Sequence, residues 1–229
     1  MIVFYFTGIK IALKYTKFKD KSLLFAGIGW TLIGTIYIGV FLNFIYYLST
    51  DRLLPDLVVW IPSSILLPLS VMFIYFLLAE LKINIKRYKL IVRLYAVIIS
   101  IIIEIYLFYA YIIDVSLIGK THSPVVGTVE GLFGLYVVYG LISIVITVLI
   151  MGIEGMKSDI ADVKLKGKFL IVAAILFLIT SIISINIFNI ENYLALYIYI
   201  AISQVTASFM FYNGFLLPNW IKNYFIKSK

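Results

Sequence analysis

The sequence has 229 residues, 63% hydrophobic and 13% charged, with a mean hydropathy of +1.10 and a net charge of +8. Soluble domains sit nearer half apolar and a quarter charged, and a globular surface cannot hide this much apolar area from water, so a soluble fold is excluded and lipid is the solvent. With no cysteine, disulfides, thiolate metal sites and a cysteine nucleophile are excluded too, and the positive charge, gathered between apolar runs, reads as topogenic rather than as a nucleic-acid footprint.

A bilayer-crossing helix needs about 20 apolar residues. The first apolar run, Met1 to Leu13, is short: at 1.5 Å per residue it covers roughly 20 Å of a hydrocarbon core about 30 Å thick. Lys10, Lys14, Lys17, Lys19 and Lys21 follow as a basic exit, which argues for a true but short first helix. It has no basic stretch ahead of it, so it is not read as a secretory signal. Six longer runs follow, near 22–48, 57–81, 89–113, 128–152, 168–188 and 192–216. The expected fold is all-α: a polytopic membrane bundle of seven transmembrane helices over residues 1–229, with no soluble domain.

The loops give orientation. All Lys and Arg except Arg52 and Lys120 fall at alternate helix ends, in the groups Lys10–Lys21, Lys82–Arg93, Lys157–Lys168 and Lys222–Lys229. The other ends hold Asp51, Asp56, Asp114, Glu130 and Glu191. By the positive-inside rule the basic ends are cytoplasmic, which puts the N-terminus outside, the C-terminus in the cytoplasm and the chain in the cell membrane. In the longest cytoplasmic loop, Ser158-Asp159 is expected to cap an extension of the sixth helix. In the longest outer loop, Ser123-Pro124 reads as the N-cap and first residue of the fifth.

Small residues mark packing faces, because helices in lipid associate through close backbone approach. The second span carries Gly27, Thr31, Thr35 and Gly39 four apart, and the fifth carries Gly127, Gly131 and Gly134. These faces suit bundle packing, with a homodimer as the alternative. Trp60, Tyr46, Tyr47, Tyr193 and Trp220 lie near predicted helix ends and read as interfacial anchors, with pocket lining by a few of them as the alternative.

Glu104 is the foremost candidate site residue. It lies within Ile101-Ile102-Ile103-Glu104-Ile105, about 22 Å from Lys89 along the fourth span, in the outer half of the membrane. A carboxylate there costs a few kcal/mol, so it should face the bundle interior and have a partner. It can take up a proton, donate to a ligand or tie two helices together. Ser100 is one turn away on the same face. Asn43, Ser63, Ser64, Asn186 and Gln204 reach similar depth on other spans, and Pro68 should kink the third span and free the Ser64 carbonyl. Together these residues predict an outward-facing polar crevice, with ordinary interhelical hydrogen bonding as the alternative. The ligand-binding candidates are therefore Glu104, Ser100, Asn43, Ser64, Asn186 and Gln204. The single histidine, His122, is a solvated loop residue rather than a metal site, and Glu80 pairs with its basic neighbours. No metal-protease, hydrolase-elbow or phosphate-loop motif occurs, so no catalytic residue, metal or cofactor is expected. The last span has no lysine for a retinal Schiff base, and the third ends Ala79-Glu80-Leu81-Lys82, without the Asp-Arg-Tyr of rhodopsin-like receptors.

The C-terminal stretch Phe211-Tyr212-Asn213-Gly214-Phe215-Leu216-Leu217-Pro218-Asn219-Trp220-Ile221 resembles the close of the seven-helix sensor region found N-terminal to many archaeal and bacterial histidine kinases. The basic loop after the first helix and the Ala79-Glu80 ending of the third are similar in kind. The resemblance implies a membrane sensing module whose last helix passes a signal to a cytoplasmic output; here no kinase follows Lys229, so the sensor would act through a separate protein. The leading expectation is a receptor-like sensor for a small or lipidic ligand. Its partners would be membrane lipid and a cytoplasmic or membrane signalling protein, not nucleic acid. The alternatives are a small-solute or proton-coupled transporter using Glu104, and a structural accessory subunit.

Overall fold

The computed structural model describes residues 1–82, 85–124, 127–184 and 194–226. Its helices are α1 (Ile2–Phe18), α2 (Lys21–Ile33), α3 (Ile36–Thr50), α4 (Asp56–Ser64), α5 (Leu67–Lys82), α6 (Lys86–Ile113), α7 (Gly131–Met156), α8 (Ala161–Ser184), α9 (Leu194–Leu216) and α10 (Asn219–Ile226). Between α6 and α7 two short strands, β1 (Gly119–Thr121) and β2 (Gly127–Val129), form an antiparallel hairpin.

Local chemistry sets the breaks. Lys19 takes a left-handed conformation that ends α1, and Asp20 then caps α2 by accepting from the Ser22 amide at 2.9 Å and its hydroxyl at 2.7 Å. The second predicted span is interrupted at Gly34-Thr35 between α2 and α3. The third is interrupted at Ile65-Leu66, where Pro68 lacks an amide hydrogen and its ring crowds the preceding turn. Ser158 Oγ accepts from the Ile160 amide just ahead of α8, which starts at Ala161, seven residues ahead of the apolar run near 168–188, as the extension expected of the sixth span.

Among the described residues, five segments are long and apolar enough to cross a membrane: Lys21–Thr50, Asp56–Leu81, Lys86–Ile113, Gly131–Met156 and Ala161–Ser184. Ile198–Leu216 taken with Asn219–Ile226 makes a sixth, bent by 86°. The short first span expected at Met1–Leu13 is α1, which has 17 residues and packs along α2 and against α9, its Phe4 lying against Gly34 at the break that leads into α3. The last span does not run on as a straight rod, because the chain turns sharply at Leu217-Pro218. α10 is then tied back to α8 by Lys222 Nζ, 2.5 Å from Asp162 Oδ2.

Helices α1, α2, α5, α7, α8 and α9 pack in a ring, each against the next, while α6 lies outside on α5 and α3 packs on α4. Aromatic rings fill the centre. Trp30 stacks on Phe211 at 3.8 Å between centroids and is flanked by Phe4 and Phe177 at 5.4 and 5.5 Å.

The expected small-residue face of α7 is corrected. Gly127 belongs to β2, Gly131 begins the helix at φ +55, and Gly134 has no close neighbour. The close approach to α8 is made by Gly152 and Gly155 against Gly167. Ser123-Pro124 likewise does not open the fifth span. It lies in the hairpin loop, and α7 starts at Gly131, where only glycine takes the left-handed turn without strain.

Candidate ligand-binding cavity

Between the ring and the hairpin lies a cavity of about 440 Å³, within the range of small-molecule sites. It sits at the end of the bundle away from the basic turns. Tyr37, Val40 and Asn43 of α3 form one wall, and Val59, Trp60 and Ser63 of α4 another. Phe133, Val137, Gly140 and Ile144 of α7 face them. Phe177 and Ser181 of α8 and Ile200, Ala201 and Gln204 of α9 complete the circuit. Among the described residues, none that lines it carries a charge.

The hairpin covers the mouth and is held on three sides. Asn43 Nδ2 donates to the Ser123 and Pro124 carbonyls at 3.2 Å each, and its Oδ1 accepts from the Leu54 amide at 2.9 Å. Asp56 at the start of α4 accepts from the Thr121 amide at 2.9 Å. The Trp60 ring, 9% exposed, lies under both strands: β-carbons added at Gly119 and Gly127 would meet it at 2.5 and 3.0 Å. Trp60 is therefore buried packing for the lid rather than an interfacial anchor. Trp220, 65% exposed at the basic end, keeps an anchor's position.

The candidate residues divide into two groups. Asn43 and Gln204 line the cavity. All the hydrogen-bonding capacity that Asn43 shows is spent on the hairpin and the α3–α4 turn. Gln204 is buried and interacts with the Tyr37 hydroxyl across the cavity. Ser64, Ser100 and Glu104 lie elsewhere, where the α4–α5 break meets α6 and α7. Ser64 Oγ donates to the Trp60 carbonyl and lies 2.6 Å from the Tyr111 hydroxyl. Ser100 Oγ donates at 2.9 Å to the carbonyl of Pro68, which Tyr136 also reaches at 3.5 Å. Glu104 is half-buried on the flank of α6, within electrostatic reach of Tyr111 and Tyr136, and makes no hydrogen bond or ion pair among the described residues. The predicted single crevice is thus two sites. Asn186 lies outside the described residues.

Sequence reasoning missed two polar lining groups, Tyr37 and Thr121, and named Trp60 as pocket-lining only in its alternative reading. The Trp60 Nε1 and Thr121 Oγ1 atoms are buried without a hydrogen-bond partner. The glycines that flank Thr121 across the hairpin register, Gly119 and Gly127, were the available signal for a close-packed turn rather than a helix start.

The fold is an α-helical bundle with, among the described residues, five to six helices long and apolar enough to cross a membrane, a multi-pass membrane protein by that measure. No protein-family model, curated protein or solved structure matches the chain.

Proposed function

We propose that the chain is a receptor-like sensor of the cell membrane, crossing it seven times with its basic end in the cytoplasm, that binds a small or lipidic ligand in the capped cavity and signals to a protein partner. The observation that carries this reading is the cavity itself: partly covered by a clasped hairpin, walled chiefly by α3, α4, α7, α8 and α9, and bordered by Phe177 of the aromatic core. Phe177 lines it, packs on Trp30 and so meets Phe211 of α9, whose end turns into α10 on the basic side. A ligand that favours one packing of this stack would bias the position of α9 and α10, provided its affinity differs between the two arrangements. The charge asymmetry of the turns supports the orientation.

Native mass spectrometry of the protein in lipid nanodiscs tests the proposal, wild type beside Ala201→Phe, which fills the cavity from α9. A bound molecule present in the wild type and lost in the variant supports it. Wild type free of any bound molecule and bound only to a constant protein partner favours the accessory-subunit reading.

A second reading, a small-solute or proton-coupled carrier, draws on one observation: Glu104 makes no hydrogen bond or ion pair among the described residues and lies within electrostatic reach of the Tyr111 and Tyr136 hydroxyls. Proton-coupled flux into proteoliposomes that disappears in Glu104→Gln would favour it.

A further inference from the structure

The outward face of α6 carries an inference that is independent of whether the cavity holds a ligand. We infer that α6 is the interface with a second copy of this chain, packed parallel to the same helix of its partner, with Glu104 of each copy accepting a hydrogen bond from Tyr109 of the other.

The small-residue contacts are spent inside the bundle: Gly27 on Gly8 and Ala12, Gly39 on Val59, and Gly152 and Gly155 on Gly167. They are not free to join two copies. α6 is the helix left over. It packs mainly on α5, and its apolar stretch is 28% buried, against 33–44% for the other four long segments.

Its outward face has the period of a helix seam. Isoleucine recurs every seventh residue at Ile91, Ile98, Ile105 and Ile112, with Ile101 and Phe108 between them, and each is half exposed or more. That 3–4 alternation is the repeat that winds two helices into a left-handed pair. Apolar side chains alone do not select a helix over lipid, since lipid tails are as apolar as they are, so interhelical hydrogen bonds have to contribute. Two polar groups flank this seam. Glu104 is partly exposed and makes no hydrogen bond or ion pair among the described residues. Tyr109 is 55% exposed, and its hydroxyl makes no hydrogen bond among the described residues. An intramembrane carboxyl calls for a partner.

Copies inserted with the same topology are related by a two-fold axis along the membrane normal, so identical helices meet in parallel. With the isoleucines at the a positions, Glu104 falls at g and Tyr109 at e. In a parallel pair these two positions face each other across the seam, g on one helix against e five residues further along the other. The tyrosine hydroxyl can donate to the carboxyl whether that group is ionised or neutral, and the symmetry makes the bond twice. Arg87 takes the seam position before Ile91, beside Lys86, and like charges part the helices there.

The chain has no cysteine, so single cysteines report on the full-length protein in its membrane. Under oxidation, Ile98→Cys and Ile105→Cys should give disulfide-linked dimers. Ile142→Cys of α7 and Ile175→Cys of α8, at positions also about half exposed, should stay monomeric. Dimer dissociation is then followed by single-molecule photobleaching in liposomes at falling protein density. Tyr109→Phe, a conservative change at an exposed position, should weaken the dimer about tenfold, the loss expected for two interhelical hydrogen bonds. Glu104→Leu should weaken it at least as much. A chain that stays monomeric at every density, or cross-links equally well from Ile142 and Ile175, overturns the interface and leaves lipid covering α6. A dimer as tight in Tyr109→Phe and Glu104→Leu as in wild type overturns the pairing of these two residues.

Discussion

Gly39 of α3 lies so close to Val59 of α4 that a β-carbon at Gly39 would overlap the Val59 carbonyl oxygen. This contact brings the two upper half-helices together on one side of the cavity, and it rests on backbone, which cannot move aside as a flexible side chain can. Gly39→Ala should therefore cost about 1–3 kcal/mol, as overpacking of a tight contact does, and Gly39→Val more. Gly134→Ala is the matched control. Its added methyl meets nothing nearer than 3.5 Å, and alanine favours helix over glycine by up to about 1 kcal/mol, so stability should hold or rise. Melting temperatures of the purified variants in one detergent check the contrast.

Much of the bundle is legible in the sequence, because apolar run length and loop charge are long-range averages that survive local detail. The runs near 89–113 and 192–216 return as α6 and α9 nearly unchanged. What was not legible depends on a single tertiary partner. The stripe Gly27, Thr31, Thr35 and Gly39 reads as one face of one helix. The break at Gly34 divides it, so that Gly27 meets Gly8 and Ala12 of α1 while Gly39 meets α4. The hairpin was invisible because Ser123-Pro124 satisfies a helix-start rule locally; Asn43, eighty residues away, takes its carbonyls instead. The one crevice became two sites for a similar reason. Periodicity gives depth along a helix but not which neighbour a flank residue such as Glu104 faces.

Asn43 is 1% exposed, and its amide joins α3 to both the hairpin and the turn before α4. Asn43→Ala leaves the Leu54 amide and the Ser123 and Pro124 carbonyls unpaired, at about 1–3 kcal/mol for each group that stays buried without water. The lid should loosen before the bundle does. Hydrogen exchange should speed up at Lys120, Thr121 and Gly127–Val129 and stay slow along α7. Unchanged exchange in the hairpin would show that Asp56 and Trp60 hold it without Asn43.

At the opposite end Glu80 joins α5 to α6. Its carboxylate lies 2.6 Å from Lys89 Nζ and pairs with Arg93, whose guanidinium also sits 5.8 and 5.7 Å from the Phe25 and Phe76 ring centres. These side chains are 18–30% exposed, between the exposed pairs that contribute about 0–1 kcal/mol and the buried ones whose breaking costs about 3–5. Glu80→Gln should destabilise the protein by an amount on the order of 1 kcal/mol. The gap to wild type should narrow, but not close, in high salt, because partly buried charges are only partly screened. Thermal melts at low and high ionic strength read this directly.

The separation of Glu104 from the cavity turns the two functional readings into opposite expectations. Gln204 lines the cavity and Glu104 does not. If the cavity holds the ligand of a sensor, Gln204→Ala should weaken binding several-fold, since it removes a buried polar contact and frees Tyr37. Glu104→Gln should leave that affinity within about twofold, because it alters a charge state across α6 without touching the lining. If Glu104 instead moves a proton coupled to transport, the order reverses: Glu104→Gln abolishes proton-linked flux, and its pH dependence with it, while Gln204→Ala changes little. Binding measured by native mass spectrometry and proton flux measured in proteoliposomes, on the same two variants, decide between a ligand held under the hairpin and a carboxyl working beside Tyr111 and Tyr136.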